Sequence, residues 1–254
     1  MRDPHVVSLR YRLETDGSVD YTKAPPLDDE RDAFSLYLAD DTLTCEMKRH
    51  FASVAEARAV VDPFLRAWEL DVALRRGRGE LSFVYEDAEI IDRDPPPPGS
   101  PQVVLAGVAE AIALAGEATV HISRGKYPEP PKHFRITPDV ETLWHRYEGY
   151  LEGKEPLLSM TNFCLTCVQS RAGSRKEAAR KYGISQKILN RLGEWASDKG
   201  NYEQARKFRE NNPPLTKAEE SWIEAAVKAL IRRMGEYEPM ASLKQITMND
   251  LPEL

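Results

Sequence analysis

The spacing of apolar residues changes period once along the chain, and the change falls at "KYPEPPKHF", residues 126–134. Before it, apolar side chains recur every second residue in several short runs, the pattern of strands with one buried face. After it they recur every third or fourth residue, the pattern of amphipathic helices. A chain that switches period once builds its sheet and its helical layers from separate stretches. The prolines at the junction also discourage any element from running through it. The expected fold class is therefore α+β: a small N-terminal sheet domain with one or two helices over residues 1–135, followed by an all-α helical bundle over 136–238. Residues 239–254 are expected to form a C-terminal tail, a loop packed on one domain with "MNDLPEL" as a docking segment. A length of 254 residues leaves each domain enough chain for its own core.

Within the first half, "VVSLRYRL" places Val7, Leu9, Tyr11 and Leu13 on one face, and "TLTCEMK" does the same with Leu43, Cys45 and Met47. A helix is expected from Ser53, with Glu56 completing a capping box. Val60, Val61, Phe64, Leu65, Trp68 and Val72 form its apolar face, and Pro63 is expected to kink or split it. "RGRGELSFVYED" and "ATVHISR" read as further strands, and "DPPPPGSP" as an exposed polyproline loop. In the second half Pro138 suits a first helical position, and "EPLLSMTNFCLTCVQS" is apolar almost all round, as the central helix of a bundle would be. Thr216 and Glu219 form a second capping box ahead of a stripe of Trp222, Ala226, Leu230 and Met234.

Charge narrows the class of partner. The net charge of −6 argues against nucleic acid for the chain as a whole, but the charge is unevenly placed. Residues 171–209 hold 11 Lys+Arg against 4 Asp+Glu, a local balance of +7. No segment approaches the roughly 18 uncharged apolar residues of a membrane span. Charges throughout the first thirty residues argue against a signal peptide, so a cytoplasmic location and no membrane partner are expected. Three cysteines do not make a disulfide framework.

The basic segment contains "RKEAARKYGISQKILNRLGEW", residues 175–195. Ala178 and Ala179 allow two helices to approach closely, Gly183 suits the left-handed stop of the first, and Ser185 suits the cap of the second. Ile184, Leu189 and Leu192 would fix the angle between them, while Ile188, Trp195 and Ala196 widen the buried face. Gln186, Lys187, Asn190 and Arg191 are left outward. In its small residues, its Gly and the apolar residue after it, the stretch resembles the helix-turn-helix family. That resemblance implies nucleic-acid binding, with Arg175, Lys176, Arg180, Lys181, Lys187 and Arg191 meeting phosphates and Gln186 and Asn190 meeting bases. A tight hairpin inside a bundle would ask for the same small residue, Gly stop, cap and apolar stripe.

The C-terminal half, a compact bundle after a β-rich domain, also resembles HEPN-type proteins, many of them ribonucleases of bacterial defence and toxin systems. Their catalytic mark is an Arg followed after four to six residues by a His. Here His145 is the last histidine and the nearest preceding Arg is Arg135, nine residues between them, so the motif is absent. The resemblance therefore implies a non-catalytic or divergent member, or a divergent ribonuclease acting through His145.

Other candidate chemistry is thinner. Cys164 and Cys167 sit one helical turn apart, but zinc needs four ligands and no second pair exists, so no metal is expected. Glu86, Asp87, Glu89, Asp92 and Asp94 read as a solvated strand edge rather than a metal-dependent nuclease site. His50, His121 and His133 lie on or beside strands without a nucleophile at useful spacing, and no phosphate loop or dinucleotide fingerprint occurs. Pro95 and Pro98 satisfy a minimal polyproline-ligand spacing. The expectation is a non-enzymatic binding or interaction protein without cofactors. Its basic helical domain would meet nucleic acid, an acidic protein partner or, in a homo-oligomer, the acidic domain of another copy.

Overall fold

The structure, a computed structural model, describes residues 3–94, 122–201, 203–207, 209, 212–236 and 244–254. The fold class expected from the sequence is the one observed: a sheet domain followed by a helical bundle. The chain divides into two compact units, Met1–Pro131 and Lys132–Leu254.

The first unit carries β1 (Pro4–Glu14), β2 (Val19–Asp20), β3 (Leu27–Glu30), β4 (Phe34–Ala39), β5 (Thr42–Met47), α1 (Val54–Arg76), β6 (Ser82–Asp92) and β7 (Ile122–Ser123). Five of these strands form an antiparallel sheet in the order β3-β4-β5-β1-β6, and β2 pairs with β7 in a short parallel ladder. Alternation buries Phe34, Leu36 and Leu38 of β4 and Leu43, Cys45 and Met47 of β5. Ala57, Val61, Leu65, Trp68 and Val72 of α1 share their core. Trp68 is fully buried and donates its indole N–H to the Pro128 carbonyl at 3.2 Å, a partner a buried ring nitrogen requires.

Four local expectations need correction or refinement. The pairing of β1 with β6 shifts register between Val6 and Ser8, so the core takes Val6 and Leu9 while Val7 stays only partly buried. A bulge adds one residue and reverses which face the following side chains point to. Helix α1 runs unbroken through Pro63 rather than splitting, and Val60 is exposed on its flank. Its Ser53 cap accepts from the Glu56 amide, but the Glu56 carboxylate reaches the Ala52 amide instead of closing the box on Ser53. Of "ATVHISR", Ile122–Ser123 is a strand; residues 118–121, His121 included, and the proline loop with Pro95 and Pro98 lie outside the described residues.

The second unit contains α2 (Pro138–Leu151), α3 (Leu157–Ala172), α4 (Arg175–Lys181), α5 (Gln186–Asp198) and α6 (Lys217–Gly235). Thr137 caps α2 with Pro138 in its first turn, and Thr216 with Glu219 closes a full capping box on α6. Helix α3 packs against α2, α4, α5 and α6, and Ser159, Asn162, Thr166 and Gln169 line its less buried side. Trp222, Ala226 and Leu230 are buried with Ile223, Val227 and Ile231 beside them, while Met234 is only partly covered. No helix among the described residues is long and apolar enough to cross a membrane.

Candidate nucleic-acid interface

The basic segment folds as α4 and α5 joined through Tyr182–Ser185. Ser174 caps α4 by accepting from the Glu177 amide, and Gly183 takes φ of 57°, the left-handed conformation that ends the helix. Ser185 caps α5, its hydroxyl accepting from the Lys187 amide at 3.3 Å. Ala178, Ala179, Ile184, Ile188, Leu189, Leu192 and Ala196 are buried between these helices and the rest of the bundle. The turn is also held from outside. Ile184 and Ile246 form a parallel bridge, in which the Ser185 amide donates to the Ile246 carbonyl and the Ile246 amide to the Gly183 carbonyl, each at 2.8 Å.

The cations singled out from the sequence fall into two groups. Arg175, Arg180 and Lys181 are engaged within the fold. The Arg175 guanidinium lies directly over Gly193 of α5, where a β-carbon would collide with it. Arg180 pairs with Glu177 at 2.7 Å on the surface, and Lys181 donates to the Arg171 carbonyl at 3.2 Å with its ammonium 5.1 Å from the Tyr182 ring. Lys176, Lys187 and Arg191 make no ion pair among the described residues. Lys176 and Lys187 are exposed, and Arg191 is partly buried with its guanidinium 5.6 Å from the Trp195 ring centre.

Gln186 is exposed and Asn190 partly buried, and neither side-chain amide is hydrogen-bonded among the described residues. Gln186, Lys187, Asn190 and Arg191 therefore occupy the first two turns of α5 with donors and acceptors uncommitted.

Trp195, expected to widen the buried face, is instead only partly buried. It is partly exposed, sits edge-on to the buried Trp222 at 5.2 Å, and has Arg191 and Lys199 over its ring, the latter at 5.3 Å. The recurrence of Arg, Trp and Lys at four-residue intervals was the available signal. Lys199 is further tied to Glu219. Beyond this platform the exposed side of α5 turns acidic at Glu194 and Asp198, so the cationic surface is confined to its N-terminal half.

The remaining candidates stand apart from this surface or are built into the fold. Cys164 is fully buried with its thiol 3.7 Å from the Met160 sulfur, and burial pushes the thiols of Cys164 and Cys167 up. No group of three His, Cys, Asp or Glu converges to hold a metal ion among the described residues. In the acidic series on β6, Asp87 takes a two-pronged contact from Arg10 at 2.6 and 2.5 Å. Asp92 accepts from the Asp3 and Asp94 amides. His145 is exposed on α2, 3.6 Å from Glu141. His50 stacks on His5 and faces Asp3, and His133 is exposed just ahead of α2. No protein-family model, curated protein or solved structure matches the chain.

Proposed function

We propose that the second unit binds nucleic acid through the N-terminal half of α5 and the exposed side of α4. The observation that carries this is that Lys187 and Arg191 share the first two turns of α5 with Gln186 and Asn190, none of these side chains having an ion-pair or hydrogen-bond partner among the described residues, while Lys176 is exposed on α4. Cations without a carboxylate partner are satisfied by water and counterions, and a polyanion that displaces those counterions gains their release. Arg191 held against Trp195 is a guanidinium oriented in advance, which lowers the entropy it loses on meeting a phosphate. In this proposal Lys176, Lys187 and Arg191 contact phosphates, with Arg180 and Lys181 added at the periphery. Gln186 and Asn190 reach base edges, and Arg175 positions α4 against α5 rather than touching the ligand.

Three phosphate contacts give a slope of about −3 for log affinity against log salt on duplex DNA, at roughly −0.9 per contact. Fluorescence anisotropy with a labelled duplex across a salt series measures it. The double variant K187E/R191E is expected to abolish binding at low salt, and K176A to reduce the slope by about one. Binding that is unchanged in K187E/R191E rejects the proposal. Affinity for an acidic polypeptide with none for DNA or RNA would reassign the surface to an acidic protein partner.

A further inference from the structure

The last described segment, Lys244–Leu254, docks on the turn that opens α5. Its anchorage is mainly backbone. Two bonds join Ile246 to Gly183 and Ser185, and Arg233 of α6 donates to the Lys244 carbonyl. No side chain in the segment is fully buried: Ile246, Thr247, Met248 and Leu251 are partly covered and the others exposed. The segment therefore gives up little apolar burial on leaving, the mark of an element that opens well below the global unfolding free energy. Its place is less incidental than its grip. The Ile246 carbonyl sits on the amide of Ser185, the residue directly before Gln186, so the segment occupies the approach to the first turn of α5.

Its charge matches that position. Asp250 and Glu253 outnumber Lys244, which pairs with Asp250 at 3.3 Å within the segment, and the turn it docks on belongs to a sequence stretch carrying +7. Asp250 lies four residues past Ile246, hence within roughly 14 Å of it even if fully extended. The Thr247 amide and hydroxyl both donate to the Asp250 carboxylate at 2.8 Å and hold its pKa below the ordinary range, so it remains charged.

From this placement we infer that Lys244–Leu254 is a displaceable strap, which lies against the turn ahead of α5 in the free protein and leaves when a polyanion seats on the exposed Gln186 and Lys187 beside it. The inference rests on the nucleic-acid role proposed above. A bound phosphate backbone at Gln186 and Lys187 and the strap at Ser185 compete for the same end of the helix. The strap sets a threshold: weak or short polyanions fail to displace it, and those making several phosphate contacts succeed.

Two experiments on the full chain test it. Ile246→Pro removes the amide that donates to Gly183 without touching the cationic residues. Loss of a competitor held by that bond is expected to tighten binding of a short DNA duplex about fivefold. K187E/R191E should abolish binding with or without Ile246→Pro. Equal or weaker binding by the Ile246→Pro variant, with K187E/R191E still abolishing that of the parent chain, rejects the strap and leaves the nucleic-acid role standing. Failure of both the parent and Ile246→Pro chains to bind rejects both. In the unsubstituted protein, hydrogen exchange at the Ser185 and Ile246 amides is expected to be slow without duplex and to accelerate at least tenfold at saturation. Unchanged or increased protection in the complex overturns the inference.

Discussion

Single side chains decide how the first unit responds to acid. His5 is almost fully buried at the start of β1, stacked on His50 with ring centres 5.3 Å apart, and its Nδ1 has no hydrogen-bond partner among the described residues. Burial lowers its pKa below the ordinary 6.5, with Arg93 and His50 adding to the effect and Asp3 opposing it. The folded chain therefore holds His5 neutral while the unfolded chain takes up a proton. The contribution to stability is complete above pH 6.5 and is lost as pH falls from there towards the folded-state pKa. Urea melts across that window are expected to show a decline in stability that His5→Phe removes. An identical decline in the variant would place the titrating group elsewhere. The same scale limits what was legible of the candidate site. That Lys187 would be outward followed from its place beside an apolar stripe, whereas the packing of Arg175 over Gly193 and the pairing of Arg180 with Glu177 arise from side-chain contacts that residue spacing does not specify.

At the scale of elements, period and punctuation were readable where one face is continuously buried, and failed where a strand changes face. Strand β5 alternates without interruption, and Leu43, Cys45 and Met47 point inward as their spacing requires. Strand β1 carries a bulge, and a two-residue period extrapolated across it selects Val7 in place of Val6. The distinction is measurable: Val6→Ala should cost about 2 kcal/mol and Val7→Ala less than about 1, by denaturant unfolding. Equal costs would mean that the register shift is absent in solution. The β4–β5 hairpin was legible in principle and overlooked. Its Asp40 and Asp41 both take positive φ, at 48° and 58°, the conformation of a two-residue hairpin turn, but Asp–Asp is a weaker signal for it than Asn–Gly. In the α4–α5 hairpin both ends were readable because Gly183 and Ser185 act locally. The place where the tail docks was not, since a bridge between Ile184 and Ile246 joins residues far apart in sequence.

For the whole molecule the decisive quantity is the division of charge between the two units. Met1–Pro131 contains 24 Asp+Glu against 15 Lys+Arg, a balance of −9, and Lys132–Leu254 contains 17 against 20, a balance of +3. A polyanion bound by the second unit is repelled by the first, whatever the arrangement of the two, and the strength of that repulsion is set by screening. The Debye length is about 30 Å at 0.01 M salt and about 10 Å at 0.1 M, so repulsion from the acidic unit reaches the ligand in dilute salt and fades near physiological strength. Each unit encloses its own apolar residues, Leu9, Leu38 and Trp68 in one and Leu158, Leu189 and Trp222 in the other, which is the condition for folding apart. A chain of residues 132–254 alone is therefore expected to unfold cooperatively and, at low salt, to bind a DNA duplex more tightly than the full chain. The two affinities should converge as salt approaches physiological strength. A difference that persists undiminished at high salt would mean that the first unit acts on the ligand by contact instead of by its field. Equal affinities at low salt would mean that the net charge of the first unit does not act on the bound ligand.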